Sequence, residues 1–198
     1  MEQHFFKKCQ IKEMIEMENR RIKLTKRLIN ESFIELLQAK PFNKISVKEI
    51  CDNADINRTT FYNYYDDQYD LLSNIEDNFI NDINTLLKKY DFFNSNRVNV
   101  DTMLLEILNY IKDNKLIFLS LFETYDANFI NRIVNVLGEA FIKMLQKGKG
   151  LNKKEAEYEL YYVVYGILNV IRQWLLNDKK TSSKELVQII FKINNYNN

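Results

Sequence analysis

An all-α protein is what the sequence predicts, on three observations. Proline occurs once and glycine four times in 198 residues, so few positions interrupt a helix. Apolar residues recur three and four apart, with few of the alternating runs that mark half-buried strands. Ser46 to Glu49, Asn152 to Glu155 and Ser182 to Glu185 each set a capping side chain three residues before an acid, a helix-start signature.

Composition narrows the functional classes. Lys plus Arg number 28 against 27 Asp plus Glu, a formal net charge of +1, so any nucleic-acid surface has to be local. Two cysteines (Cys9, Cys51) and one histidine (His4) are too few for a disulfide framework or a zinc site, and Cys51 reads as a buried filler. No metal and no cofactor is expected. Neither a Gly-rich phosphate loop nor a Gly-x-Ser-x-Gly elbow occurs, so no catalytic residues are assigned and the chain is not expected to be an enzyme. The opening MEQHFFKKCQIKEM lacks a long apolar core and no run reaches the ~20 apolar residues of a membrane span, so a cytoplasmic protein with no membrane partner is expected.

Taken in order, residues 1–19 form an N-terminal extension, either a further amphipathic helix or flexible. Arg20 to Lys40 is amphipathic, with Ile22, Leu24, Leu28, Ile29, Phe33, Leu36 and Leu37 on its inward face, and Pro41 stops it. Ser46 caps a short helix that turns Val47, Ile50, Cys51 and Ala54 inward. Asn57 caps a third helix expected to run through Tyr64, and Asp66 or Asp67 caps a fourth ending near Tyr90. Asp91 to Asn99 is the best internal break in the chain. Helices follow over 100–113, 116–123 and 128–147, then KGKG interrupts, then 153–176 and a last helix to about Ile193, with a frayed Asn-rich tail.

Two short helices joined tightly and braced by longer ones are the helix-turn-helix arrangement, whose second helix fits the major groove of DNA. Phe61 and Tyr65 are four apart and face inward, which leaves Arg58, Thr59, Thr60, Tyr62, Asn63 and Tyr64 at or near the surface. Arg reads guanine, Asn reads adenine, and Tyr hydroxyls donate to phosphate. Lys44, Ser46 and Lys48 lie at the start of the preceding helix, where amides and dipole favour a phosphate.

The stretch ISVKEICDNADINRTTFYNYYDDQYDLL, with Phe33-x-x-Leu36-Leu37 before it, resembles the DNA-binding domain of the TetR family of bacterial transcriptional regulators over about Lys23 to Leu72. The resemblance implies base-edge reading by Arg58, Thr59, Thr60 and Asn63 and phosphate contacts from Tyr62 and Tyr64. Two positions depart from the pattern: Asp55 holds the turn where Gly is usual, and Gln68 stands where Lys is frequent. The expected organisation is 20–66 as the helix-turn-helix domain and 67–198 as a helical regulatory and dimerisation domain, similar to those of many Firmicutes members. The partners implied are a double-stranded DNA operator, a second copy of the chain and an unknown small-molecule effector. The function implied is repression relieved by that effector; the alternative is a helical adaptor or co-activator working through a partner protein.

For the C-terminal domain the aromatic and Met supply suggests an effector cavity lined by Phe118, Phe122, Phe141, Met144, Tyr161 and Tyr165, suited to an apolar molecule fixed by a few hydroxyls. The wide apolar face of the last two helices, with Ile167, Ile171, Trp174, Leu186 and Ile190, suggests a four-helix dimer interface. The series Tyr158, Tyr161, Tyr162, Tyr165 and Trp174 reads either as cavity wall or as core and interface packing.

Overall fold

The computed structural model describes residues 2–91, 99–123, 128–178 and 180–194. Among these residues all regular structure is helical. α1 is Glu2–Ala39, followed by a 3₁₀ turn at Phe42–Lys44, α2 at Val47–Asn53, α3 at Arg58–Tyr62 and α4 at Gln68–Lys89. α5 is Val100–Asp113, α6 Lys115–Glu123, α7 Asn128–Lys149, α8 Lys153–Asn177 and α9 Ser183–Asn194. No helix among the described residues is long and apolar enough to cross a membrane. The expected break at 91–99 and the Asn-rich tail fall mostly on residues 92–98 and 195–198, outside the described residues. The chain divides into two compact units, Met1–Ile75 and Glu76–Asn198, so the division lies within α4 rather than at 66 or in the later loop.

In the first unit the extension is continuous with the first helix, one rod of 38 residues. Ile29, Phe33 and Ile34 are its buried contacts, whereas Leu24 and Leu28, expected inward, are exposed. α1 and α2 are locked by polar bonds: the buried Ser32 hydroxyl donates to the Ile50 carbonyl at 2.9 Å, and the Asn53 amide donates to Glu35 at 3.1 Å and to the Ser32 carbonyl at 3.5 Å. Ile50, Cys51, Ala54, Phe61 and Tyr65 close the core between α2 and α3. Burial pushes the Cys51 thiol up, as suits an inert filler.

In the second unit α7 and α8 pack side by side, and α5 packs on α9. Asn152 with Glu155 and Ser182 with Glu185 form the expected caps. The KGKG interruption comes later than expected: α7 runs to Lys149 and the chain turns at Gly150, whose φ of +66° suits glycine. Trp174 is buried, and its indole N–H donates to the Thr181 carbonyl at 2.8 Å, fixing the connection between α8 and α9. Arg132 on α7 grips α4 through Glu76, at 2.9 Å, and Asp77.

Candidate nucleic-acid interface and ligand cavity

Both helices of the helix-turn-helix owe their starts to caps, Ser46 for α2 and Asn57 for α3. Ser46 donates its N–H and hydroxyl to Glu49 at 3.0 and 2.8 Å, and accepts weakly from the Glu49 N–H at 3.4 Å. Lys40, just past the end of α1, pairs with the same carboxylate. The Lys40 ammonium, with the Ser46 hydroxyl and N–H, pushes the Glu49 carboxyl down from 4.5 to about 2. The exposed Ser46 thus has its hydroxyl and N–H engaged at the start of its own helix, as the capping signature predicts. Lys44 and Lys48 are exposed beside it.

A folded carboxyl depressed below its ordinary value lends stability that is complete above that value and lost as pH falls through the folded one. The first unit should thus loosen between about pH 4.5 and 2 as Glu49 protonates. Side-chain carboxyl NMR should find the Glu49 midpoint near the lower end, and Glu49→Gln should abolish this part of the acid transition.

The turn at Asp55 adopts φ +52°, so aspartate fills the left-handed position where the resemblance has glycine. Asn57 then accepts from the Thr60 N–H at 2.7 Å and the Thr60 hydroxyl at 2.9 Å. α3 ends at Tyr62, shorter than expected, and Asn63 follows with helical backbone angles as its C-cap. Phe61 is fully buried and anchors the helix, with Tyr65 at a ring distance of 5.7 Å.

Of the residues singled out in the sequence, Arg58, Thr59, Tyr62 and Asn63 are exposed. Thr60 and Tyr64 are half-buried, and the Thr60 hydroxyl is engaged in the Asn57 cap. Lys26 of α1, at 5.6 Å from the ring centres of Tyr64 and Tyr65, ties a basic helix face to this surface. Its link to the two rings joins residues nearly forty apart and had no sequence signal.

The second unit encloses a cavity of about 330 Å³ to which every helix from α4 to α9 contributes. Phe118, Phe141 and Met144 line it as expected. Phe122, Tyr161 and Tyr165 do not: the Arg172 guanidinium sits over the Phe122 ring at 5.6 Å, and the Tyr165 hydroxyl donates to Asn131 at 3.3 Å. Phe79, Ile83 and Leu87 of α4 were missed, although their i, i+4 spacing was readable as a stripe. No lining side chain carries a hydroxyl; the polar ones are Lys149, Glu159 and Asn194.

The expected dimer residues are also corrected. Ile171, Trp174, Leu186 and Ile190 are buried within the single chain, and Ile167 lines the cavity. They form the inner face of α8 and α9, where they seal the core. Tyr158, Tyr161, Tyr162 and Leu176 of α8, with Ile189 and Ile193 of α9, are the exposed apolar side chains of these helices.

A helix-turn-helix unit joined through α4 to a helical unit that holds a cavity is the build of one-component transcriptional regulators. The family described as transcriptional regulator C-terminal region, of TetR type, matches residues 99–196. The second unit thus carries that family's C-terminal region, and the chain as a whole is similar to the TetR family of bacterial transcriptional regulators.

Among curated proteins, the chain is 35% identical over 106 residues to the HTH-type dhaKLM operon transcriptional activator DhaS of Lactococcus lactis subsp. lactis (strain IL1403). That match spans 54% of this chain and 52% of the relative, about half its length. A solved structure of the dihydroxyacetone kinase operon activator DhaS is similar at 25% identity and a TM-score of 0.54, over 85% of this chain and 93% of that one. The fold is shared with a TetR transcriptional regulator from Streptococcus agalactiae 2603V, at 21% identity and a TM-score of 0.61 over 90% and 98% of the two chains. A TetR-family regulator from Syntrophomonas wolfei is similar in fold at 16% identity and a TM-score of 0.67, over 86% and 93%.

Proposed function

We propose that the protein is a homodimeric, sequence-specific DNA-binding regulator of the cytoplasm whose hold on a double-stranded operator is set by a small molecule in the second unit's cavity. The observation that carries this is α3. It is anchored by Phe61 and capped by Asn57, and it leaves Arg58, Thr59, Tyr62 and Asn63 exposed together. Lys44 and Lys48 serve phosphates on one side, and Tyr62 and Tyr64 on the other. In a dimer the two copies of α3 reach half-sites about one DNA turn apart, roughly 34–36 Å, and a ligand that favours another spacing loosens the grip.

The second copy would be held by the outer face of α8 and α9. Tyr158, Tyr162, Tyr165, Asn169 and Leu176 follow one another at three- to seven-residue steps along one side of α8. Gly166 is exposed and a side chain there would meet nothing within 4 Å, so its small size serves no packing inside the chain. No catalytic role is part of this reading.

Repression relieved by the ligand is the sign we propose. A specific observation favours the opposite one: the relative that is 35% identical is named an activator. Selection of bound sequences from a random DNA pool tests the DNA-binding reading and yields the operator. Transcription in vitro from a template carrying that operator then falls with a repressor and rises with an activator. Failure to enrich any sequence would overturn the proposal and leave the adaptor, working through a partner protein, in its place.

Within α3 the readers can be separated. Tyr62 and Asn63 are neighbours at helical backbone angles, so their side chains diverge by about 100°. Tyr62→Phe removes one hydroxyl and should weaken every sequence by a similar factor, a few-fold to tenfold. Asn63→Ala should lower discrimination at one base pair by about 1–3 kcal/mol. Thr60→Val should act through the lost Asn57 cap, lowering stability before specificity. Binding to the operator and its single-base variants at one salt concentration checks all three.

A further inference from the structure

Polar groups are nearly absent from the cavity wall, and where they lie decides what it can hold. Lys149, Glu159 and Asn194 are the polar lining side chains, and the remainder is hydrocarbon and aromatic ring. Leu87, Phe118 and Ile171 mark the inner wall and are almost wholly buried, whereas Lys149 and Asn194 are exposed. The polar groups therefore stand where the cavity meets solvent. A molecule that fills it buries an apolar body and keeps its one polar end at this opening. At about 330 Å³ the volume is at the small end for ligand cavities and suits a single unbranched chain.

The sign of the polar end follows from the pair that guards it. Lys149, the last residue of α7, donates to Glu159 in the second turn of α8. Glu159 is the more buried partner, with 23% of its side chain exposed against 54% for Lys149. An ammonium carries three N–H donors, so Lys149 can keep Glu159 and still bind a carboxylate. A cationic head would have to pull Lys149 off a largely buried carboxylate, or set a like charge beside it. Nearby Glu155 is engaged in capping Asn152, and Glu157 lies 3.9 Å from Lys153. Lys154 adds a further positive charge to the α7–α8 connection. Val100, the first residue of α5, brings the positive end of a helix dipole to the lining.

We infer that the ligand of this cavity is an anionic amphiphile, a single apolar chain ending in a carboxylate that Lys149 holds at the opening. This rests on the reading of the cavity as the effector site and adds the ligand's chemical class.

The test uses the full-length protein with Nile red as a neutral apolar probe, displaced in turn by decanoate, 1-decanol and decylamine. Decanoate should displace the probe at a concentration about tenfold or more below that of 1-decanol, the scale of one charge-assisted hydrogen bond, with decylamine the weakest. Lys149→Met, a change at an exposed site, should erase the advantage of decanoate while leaving 1-decanol unchanged. Glu159→Gln should leave decanoate at least as strong. Equal displacement by 1-decanol, stronger displacement by decylamine, or a decanoate advantage that survives in Lys149→Met would overturn the inference while leaving the cavity reading intact. Leu137→Trp fills the cavity and locates the binding. If nothing binds, or if binding is unchanged in Leu137→Trp, the cavity reading fails and the inference fails with it.

Discussion

Tyr162→Glu combined with Gly166→Glu should convert the protein to a monomer and weaken operator binding by about a hundredfold or more. The size follows from the loss of the second half-site: linking two binding modules raises overall affinity by roughly 10²–10⁴ without any new contact. Both positions are exposed in the single chain, so neither change disturbs its core. Gly166→Glu should even favour the isolated helix, since Gly costs about 1 kcal/mol relative to a good helix former. Misfolding is thereby separated from dissociation: sedimentation should give the monomer mass while the helical circular dichroism stays unchanged. A dimer that survives both substitutions would move the interface off this face. Ile167→Glu or Ile171→Glu, which the sequence alone recommends, would instead drive a charge into the cavity wall or the core and unfold the second unit.

Phe61→Ala should cost the first unit about 3–5 kcal/mol, the range for deleting a fully buried aromatic ring. Against a total stability of roughly 5–15 kcal/mol for an ordinary domain, that is enough to melt much of the unit near body temperature. The ring stands between α2 and α3, touching Tyr62 and Tyr65 at 5.6 and 5.7 Å, and its burial is what turns Arg58, Tyr62 and Asn63 outward. Hydrogen exchange should show protection lost in α2 and α3 and retained in α5, α8 and α9. Operator binding should vanish, while displacement of Nile red from the cavity is unchanged. Equal loss of protection in both units would mean that they fold as one.

The sequence by itself determined that the chain is helical and where the capped helices start. Ser46, Asn57, Asn152 and Ser182 cap where local hydrogen-bonding chemistry says they should, because a cap needs only residues three apart. The inward set of the helix-turn-helix, Ile50, Cys51, Ala54, Phe61 and Tyr65, was legible for the same reason, since one turn of helix fixes which neighbours share a face. The engagement of the Ser46 hydroxyl was legible as a capping motif, because its partner Glu49 lies three residues on.

Only the tertiary structure decided which apolar face of each long helix was inner and which outer. α8 carries apolar or aromatic residues around much of its circumference, so periodicity could not say whether Ile171 or Tyr162 faces the core. Packing against α7 assigned Ile171 inward and left Tyr158, Tyr161 and Tyr162 outside, so the face expected to meet a second copy is the one buried within the chain. The cavity was beyond sequence for a related reason. Its wall joins residues from six helices, and the pairing of Lys149 with Glu159 crosses a connection whose turn is set by the left-handed backbone of Gly150. A void is a property of how side chains fail to meet, and no local pattern along one helix encodes that failure.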